Sequence, residues 1–231
     1  MKQHYKYLIL LVSFFACFLL EAQQTTFYYY KGEKFYLDVD YSRLSIVSNG
    51  EISSNKIKNK IAKYDFDIKN QKRSHTKQNI IATDKSNQIA DIYNTEIEFS
   101  TKINSDEYLD NIQNLQNEDG VIKVSPTYTV RTKKLGVSNN FYVRLSKAGD
   151  VDILNNLAKK YSVQVLGYNQ FMPLWYTLSC TKETPYNAIE AANYFYETNL
   201  FESSEPEFLY HDLAATNDPY FPNQWGLKNT G

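Results

Sequence analysis

Phe141-Tyr142-Val143-Arg144-Leu145-Ser146 alternates apolar with polar side chains, and this stretch, read together with residues 147–210 beyond it, decides the fold. Period-two alternation marks a strand with one face buried. Asp150 then offers an N-cap, and Leu154, Leu157, Ala158 and Tyr161 recur at helical spacing. Residues 163–171 read as a second strand, Pro173 interrupts, and residues 174–181 alternate again as a third. Thr184 followed by Pro185 predicts a capped helix start, with proline at the first helical position. Ile189, Ala192, Phe195 and Tyr196 form one face of that helix, and Asn199 can end it. Residues 201–210 close the series as a strand whose Pro206 suits an edge or a strand end, because proline has no amide to donate.

The succession β-α-β-β-α-β is that of a ferredoxin-like split βαβ unit, so the expected class is α+β. Over residues 136–212, two helices would pack on one face of a four-stranded antiparallel sheet. Residues 23–135 partly repeat the pattern. Residues 96–101 alternate as a strand, Ser105 can cap a helix with the stripe Tyr108, Ile112 and Leu115, and Gly120 can end it. Residues 121–130 are then extended, with Pro126 near their middle. Cap and proline lie 21 residues apart here (105 to 126) and 22 in the second half (184 to 206). Upstream, Leu44 and Ile46 suggest a strand, and Ile57, Ile61 and Tyr64 a helix face. The expectation is a related, more divergent α+β unit, with residues 65–95 fitting it loosely.

Composition narrows the function. The 231 residues include 42% hydrophobic and 22% charged residues, enough for a folded core and too ordered a mix for wholesale disorder. A net charge of −1 gives no electrostatic footprint for a nucleic-acid partner. Residues 56–77 carry a local net of +6 (eight Lys or Arg, two Asp) and residues 182–218 a local net of −7 (one Lys, eight acids). Both read first as solvated faces, and as a docking surface second. Two cysteines and three histidines exclude a disulfide scaffold and leave little for a zinc centre. Serines are plentiful, but none sits in a Gly-x-Ser-x-Gly turn, and His75 and His211 have no motif neighbours. Asp38-x-Asp40 and Asp65-x-Asp67 lack the ordered loop of a calcium site. Cys180 shares an alternating face with Leu174, Tyr176 and Leu178 and reads as a small buried hydrophobe. No catalytic residue, metal ligand or cofactor is expected.

The N-terminus carries an export signal over residues 1–22. Lys2 and Lys6 precede a run of 13 residues, Leu8 to Leu20, apolar but for Ser13 and too short to span a bilayer, and Ala22 offers a cleavage point. The expected location is therefore secreted or cell-surface, with no stable membrane insertion once the signal is removed.

The final run, Asn217-Asp218-Pro219-Tyr220-Phe221-Pro222-Asn223-Gln224-Trp225-Gly226-Leu227-Lys228-Asn229-Thr230-Gly231, resembles the opening of a subtilisin-like serine protease catalytic domain. The stretches 141–146, 171–178 and 201–208 resemble the pro-region of secreted bacterial subtilases, and Phe27-Tyr28-Tyr29-Tyr30-Lys31-Gly32 fits the same subgroup more loosely. The resemblance implies a signal peptide (1–22), a pro-region (23–135 and 136–212), a cleft-binding tail (213–216) and a catalytic domain that begins at 217 and stops short of its triad. It implies a partner, a subtilisin-like catalytic domain met in cis or in trans. His211, Asp212, Leu213, Ala214, Ala215 and Thr216 would lie along the substrate cleft as an added strand, with processing near Thr216–Asn217. Asn229-Thr230-Gly231 supplies no carboxylate to orient a histidine, so no triad residue carries over. The chain alone would act as folding assistant and inhibitor of a serine endopeptidase. The alternatives are a stand-alone secreted inhibitor and a surface-binding module.

Overall fold

The computed structural model describes residues 26–74, 80–82, 91–130 and 133–210. Along them run β1 (Thr26–Tyr30), β2 (Glu33–Ser48), α1 (Ser54–Lys60), β3 (Phe66–Ser74), β4 (Ile80–Ala82), β5 (Ile92–Phe99), α2 (Ser105–Gln116) and β6 (Val121–Val130). Then come β7 (Lys133–Arg144), α3 (Val151–Lys160), β8 (Val163–Asn169), β9 (Met172–Cys180), α4 (Ala188–Glu197) and β10 (Ser203–Tyr210). Antiparallel ladders join the strands in the order β3-β5-β2-β6-β7-β9-β8-β4, with β1 on β2 and β10 on β7.

This corrects the expected fold class. In place of a small ferredoxin-like α+β unit over 136–212, with a second unit before it, the protein is a mostly antiparallel β structure built on one large sheet. The cause lies in strands longer than their alternation predicts. β2 extends over 16 residues, and β6 continues into β7 through the pairs Tyr128↔Leu135, Thr129↔Lys134 and Val130↔Lys133. Ladder hydrogen bonds therefore carry the sheet across the junction where two separate units would each have closed.

Two apolar clusters lie along this sheet. One gathers Phe141, Val143, Leu145, Leu154, Leu178, Ile189 and Phe195 from the C-terminal strands and helices. The other gathers Leu44, Ile46, Ile57, Ile97, Phe99, Tyr108 and Leu115. Each fully buried aliphatic or aromatic side chain contributes about 1.5–3 kcal/mol relative to exposure. Both β2 and β6 serve both clusters: Leu37 and Tyr128 belong to the first, Leu44 and Val124 to the second.

A bulge lets β2 change cores. Its ladder with β6 jumps from Val39↔Tyr128 to Leu44↔Pro126, leaving residues 40–43 opposite Thr127 alone. Asp40 closes the loop by accepting from the Ser42 amide at 3.0 Å and hydroxyl at 2.6 Å. Backbone groups freed by a bulge still need partners when buried. The Tyr108 hydroxyl supplies one, donating to the Arg43 carbonyl at 2.7 Å and accepting from the Thr127 amide at 3.3 Å.

Helix starts differ from expectation for local reasons. Thr184 does not cap α4. Its hydroxyl accepts from the Thr181 amide at 2.8 Å and donates to the Ser162 carbonyl at 2.6 Å, closing the preceding loop. Asn187 caps instead, in a capping box with Glu190. Asn104 rather than Ser105 caps α2, and Asp150 makes no capping bond at α3. Gly120 stands beyond the end of α2 at φ 84°, in the turn into β6. None of the helices among the described residues is long and apolar enough to cross a membrane.

Candidate functional site

Phe141 and Val143 point into the C-terminal core, so the alternating residues of β7 face the other way. Pro206 of β10 cannot donate a ladder bond, and the pairing with β7 shifts just beyond it, from Pro206↔Phe141 to Phe208↔Val137. Glu207 is thereby set opposite residues 138–140. Its carboxylate accepts from Tyr142 Oη at 2.5 Å, Ser138 Oγ at 2.9 Å and Asn140 Nδ2 at 3.0 Å. The Asn140 amide donates to Ser138 Oγ at 2.9 Å, which closes the bulge. On the inner side, Asn139 Nδ2 donates to Ser179 Oγ at 2.7 Å and to the Cys180 carbonyl at 3.2 Å. Three neutral donors on one carboxylate fix the register of β10 on β7. The arrangement positions a strand.

The same outward face of the N-terminal strands is ionic. Arg43 donates to Glu96 at 2.6 Å and to Glu98 at 2.9 Å, and Lys69 reaches Glu98 at 3.0 Å. Lys134 of β7 pairs with Asp40 at 2.8 Å and so ties the second half to the bulge of the first. Burial alone would raise the Asp40 carboxyl, but the hydrogen bonds from Lys134 and Ser42 outweigh it and hold the group below the ordinary aspartate range.

A cleft of about 590 Å³ separates α2 and β6 from the loop before α4. Ile112, Val124, Pro126, Pro185 and Tyr186 form apolar walls. Lys123, only 6% exposed, also lines it and donates from Nζ to the Thr184 carbonyl at 2.7 Å. Burial lowers the affinity of this amine for its proton, against weaker opposing effects of Cys180, Glu190 and Glu183.

The expected tail residues His211, Asp212, Leu213, Ala214, Ala215 and Thr216, and the processing point at Thr216–Asn217, lie outside the described residues, as do the signal segment, His75 and the run 217–231. Cys180 lies in the core at 1% exposure, its thiol pushed up to about 12 by burial. Asp40 is ion-paired to Lys134 and Asp67 to Lys69, and no cluster of three or more His, Cys, Asp or Glu is placed to hold a metal among the described residues. Sequence reading misses Glu207, which it places only within an acidic run. The signal available is Pro206 inside a strand, which predicts a bulge beside it. Lys123 has no local signal, since its partner Thr184 lies 61 positions away. Compared with known protein families and with curated proteins, the chain matches none.

Proposed function

We propose that this chain is the export signal and pro-region of a secreted subtilisin-like serine endopeptidase, running into the first residues of the catalytic domain. The observation that carries the reading is the run 217–231, with its Asn-Asp-Pro, Gln-Trp-Gly-Leu and Asn-Thr-Gly segments, placed just after a strand that ends at Tyr210. Catalytic domains of that class have parallel sheets and many non-local contacts, so they fold slowly and fall into traps. A partner that binds native-like structure and not the unfolded chain shifts the balance toward the fold by linkage. Tyr142, Arg144, Trp175 and Glu205, half-buried on the outward face of β7, β9 and β10, would offer the docking surface, and the segment 211–216 would continue from Tyr210 into the substrate cleft as an added strand. The Ala214-Ala215-Thr216 run suits a cleft that accepts small side chains, and cleavage near Asn217 would leave the tail as a product-like inhibitor.

The test is inhibition in trans. The full chain is expected to inhibit a subtilisin-like endopeptidase at micromolar concentration and to speed its refolding from denaturant. A chain ending at Tyr210 is expected to lose most of the inhibition while retaining part of the refolding effect. Absence of both effects across several such proteases would leave the surface-binding alternative in its place.

A further inference from the structure

We propose that the cleft between β6 and the loop before α4 binds a small monocarboxylate with an apolar body, held by the ammonium of Lys123. A lysine this deeply buried is costly unless its charge is met, and a single neutral carbonyl meets it poorly. The Thr184 carbonyl at 2.7 Å occupies one of the three N–H groups. The cleft's 590 Å³ falls in the range of small-molecule sites, about 300–1,000 Å³. Its walls select the rest of the ligand, with Ile112, Pro126 and Tyr186 offering apolar surface. Lys182 also lines the cleft, but its Nζ donates to the Glu118 carbonyl at 2.9 Å.

Charge sets the limit at one. Glu190 lines the cleft and Glu183 stands close enough to act on Lys123, so these two carboxylates offset the charges of Lys123 and Lys182, and a dianion such as phosphate would meet more repulsion than a monocarboxylate. Glu190 is itself engaged, accepting from the Asn187 amide at 2.9 Å in the cap of α4. A carboxylate replaces the water lost by Lys123 with a charge-assisted bond and leaves an apolar body against the walls.

Calorimetric titration of the full chain with 4-phenylbutyrate and with 4-phenylbutyramide, which has the same shape without the charge, tests this directly. The acid is expected to bind at least about tenfold more tightly than the amide. Lys123→Met, which keeps the length of the side chain, is expected to abolish that preference, and Lys182→Gln to leave it intact. The acid, and not the amide, is expected to protect Lys123 from amine acylation mapped by mass spectrometry, a readout that needs no variant. Equal binding of acid and amide, no binding of either, or a preference that survives Lys123→Met would each overturn the proposal. Competition by inorganic phosphate as effective as the acid would overturn the part that requires an apolar body.

Discussion

The two halves of the sheet use the same connectivity with different materials. In each, the first strand lies between the third and fourth and the second lies outside the third: β3-β5-β2-β6 in one, β8-β9-β7-β10 in the other. Among the described residues the C-terminal core has 18 buried members, five of them from a ten-residue capped helix: Ala188, Ile189, Ala191, Ala192 and Phe195. The N-terminal core has 13 among the described residues, and its first helix spans only seven residues. The outward faces differ as well. Arg43 and Lys69 with their carboxylates cross-link the N-terminal strands and Lys134 ties β7 to them, whereas in the C-terminal strands Ser138, Asn140 and Tyr142 donate to Glu207 and Arg144 pairs with Glu202. The N-terminal half thus sets a denser ionic face on a smaller core, and the C-terminal half has the larger core. The half with the larger core also carries the surface proposed for docking.

The largest expected effect asks whether this contrast survives in stability. Phe195→Ala should cost about 3–5 kcal/mol and Leu115→Ala about 2–5 kcal/mol, because both empty a filled core. If the halves fold as one unit, each variant shifts a single denaturation transition tracked by both fluorescence and circular dichroism. Two separate transitions, each moved by only one variant, would show that the continuous sheet does not couple the cores.

The joint itself is next. Tyr108→Phe removes the hydroxyl that serves both the Arg43 carbonyl and the Thr127 amide across the β2 bulge. Leaving two buried backbone groups unmet should cost about 1–3 kcal/mol. Amide exchange should rise at Thr127 and its neighbours in β2 and β6 before it rises at α4. Unchanged exchange at Thr127 would mean that the hydroxyl is not what holds the bulge.

Acid titration sharpens the ionic side of the comparison. Asp40 is held below its ordinary value, so its contribution is present above the unfolded aspartate value, about 3.9, and is lost as pH falls through the folded one. Chemical denaturation between pH 7 and pH 3 should therefore show stability falling at the acid end. In Lys134→Met, burial is left to act on Asp40 without its ammonium partner, and that part of the acid slope should vanish. A variant with the same acid slope as the parent protein would remove Asp40 and Lys134 from the account of how the halves are tied.

What the sequence shows of this depends on the range of each interaction. Alternation places β9 and β10 to within two or three residues at either end and finds the C-terminal part of β7, and helical stripes find α2, α3 and α4, because those signals are local. The continuity of the sheet is not legible, since the β6–β7 pairing and the bulge of β2 depend on residues such as Tyr108 and Arg43, 65 positions apart. Caps are ambiguous where two candidates stand close together. Thr184 and Asn187 both have the chemistry of an N-cap, and only the position of Ser162 decides that Thr184 closes the loop instead. Of the candidate site, Pro206 is visible as a break in a strand, but its consequence for Glu207 depends on the length of β7 opposite it.

The smallest expected effect compares the caps of the two halves. Asn187 Oδ1 accepts from the Ile189 and Glu190 amides at 2.9 and 3.0 Å, and the Glu190 carboxylate in turn accepts from the Asn187 amide. Ser53 Oγ, at the start of α1, accepts one bond at 3.4 Å, and no acidic residue supports the first turn of that helix. Asn187→Ala should cost about 1 kcal/mol and Ser53→Ala less than about 0.5 kcal/mol by denaturant midpoint. The ordering matters more than either value, because α4 packs its buried face into the larger core while α1 buries only Ile57. A Ser53→Ala cost equal to that of Asn187→Ala would show that α1 anchors its half as firmly as α4 does, and the contrast between a larger and a smaller core would no longer set the stability of the helices.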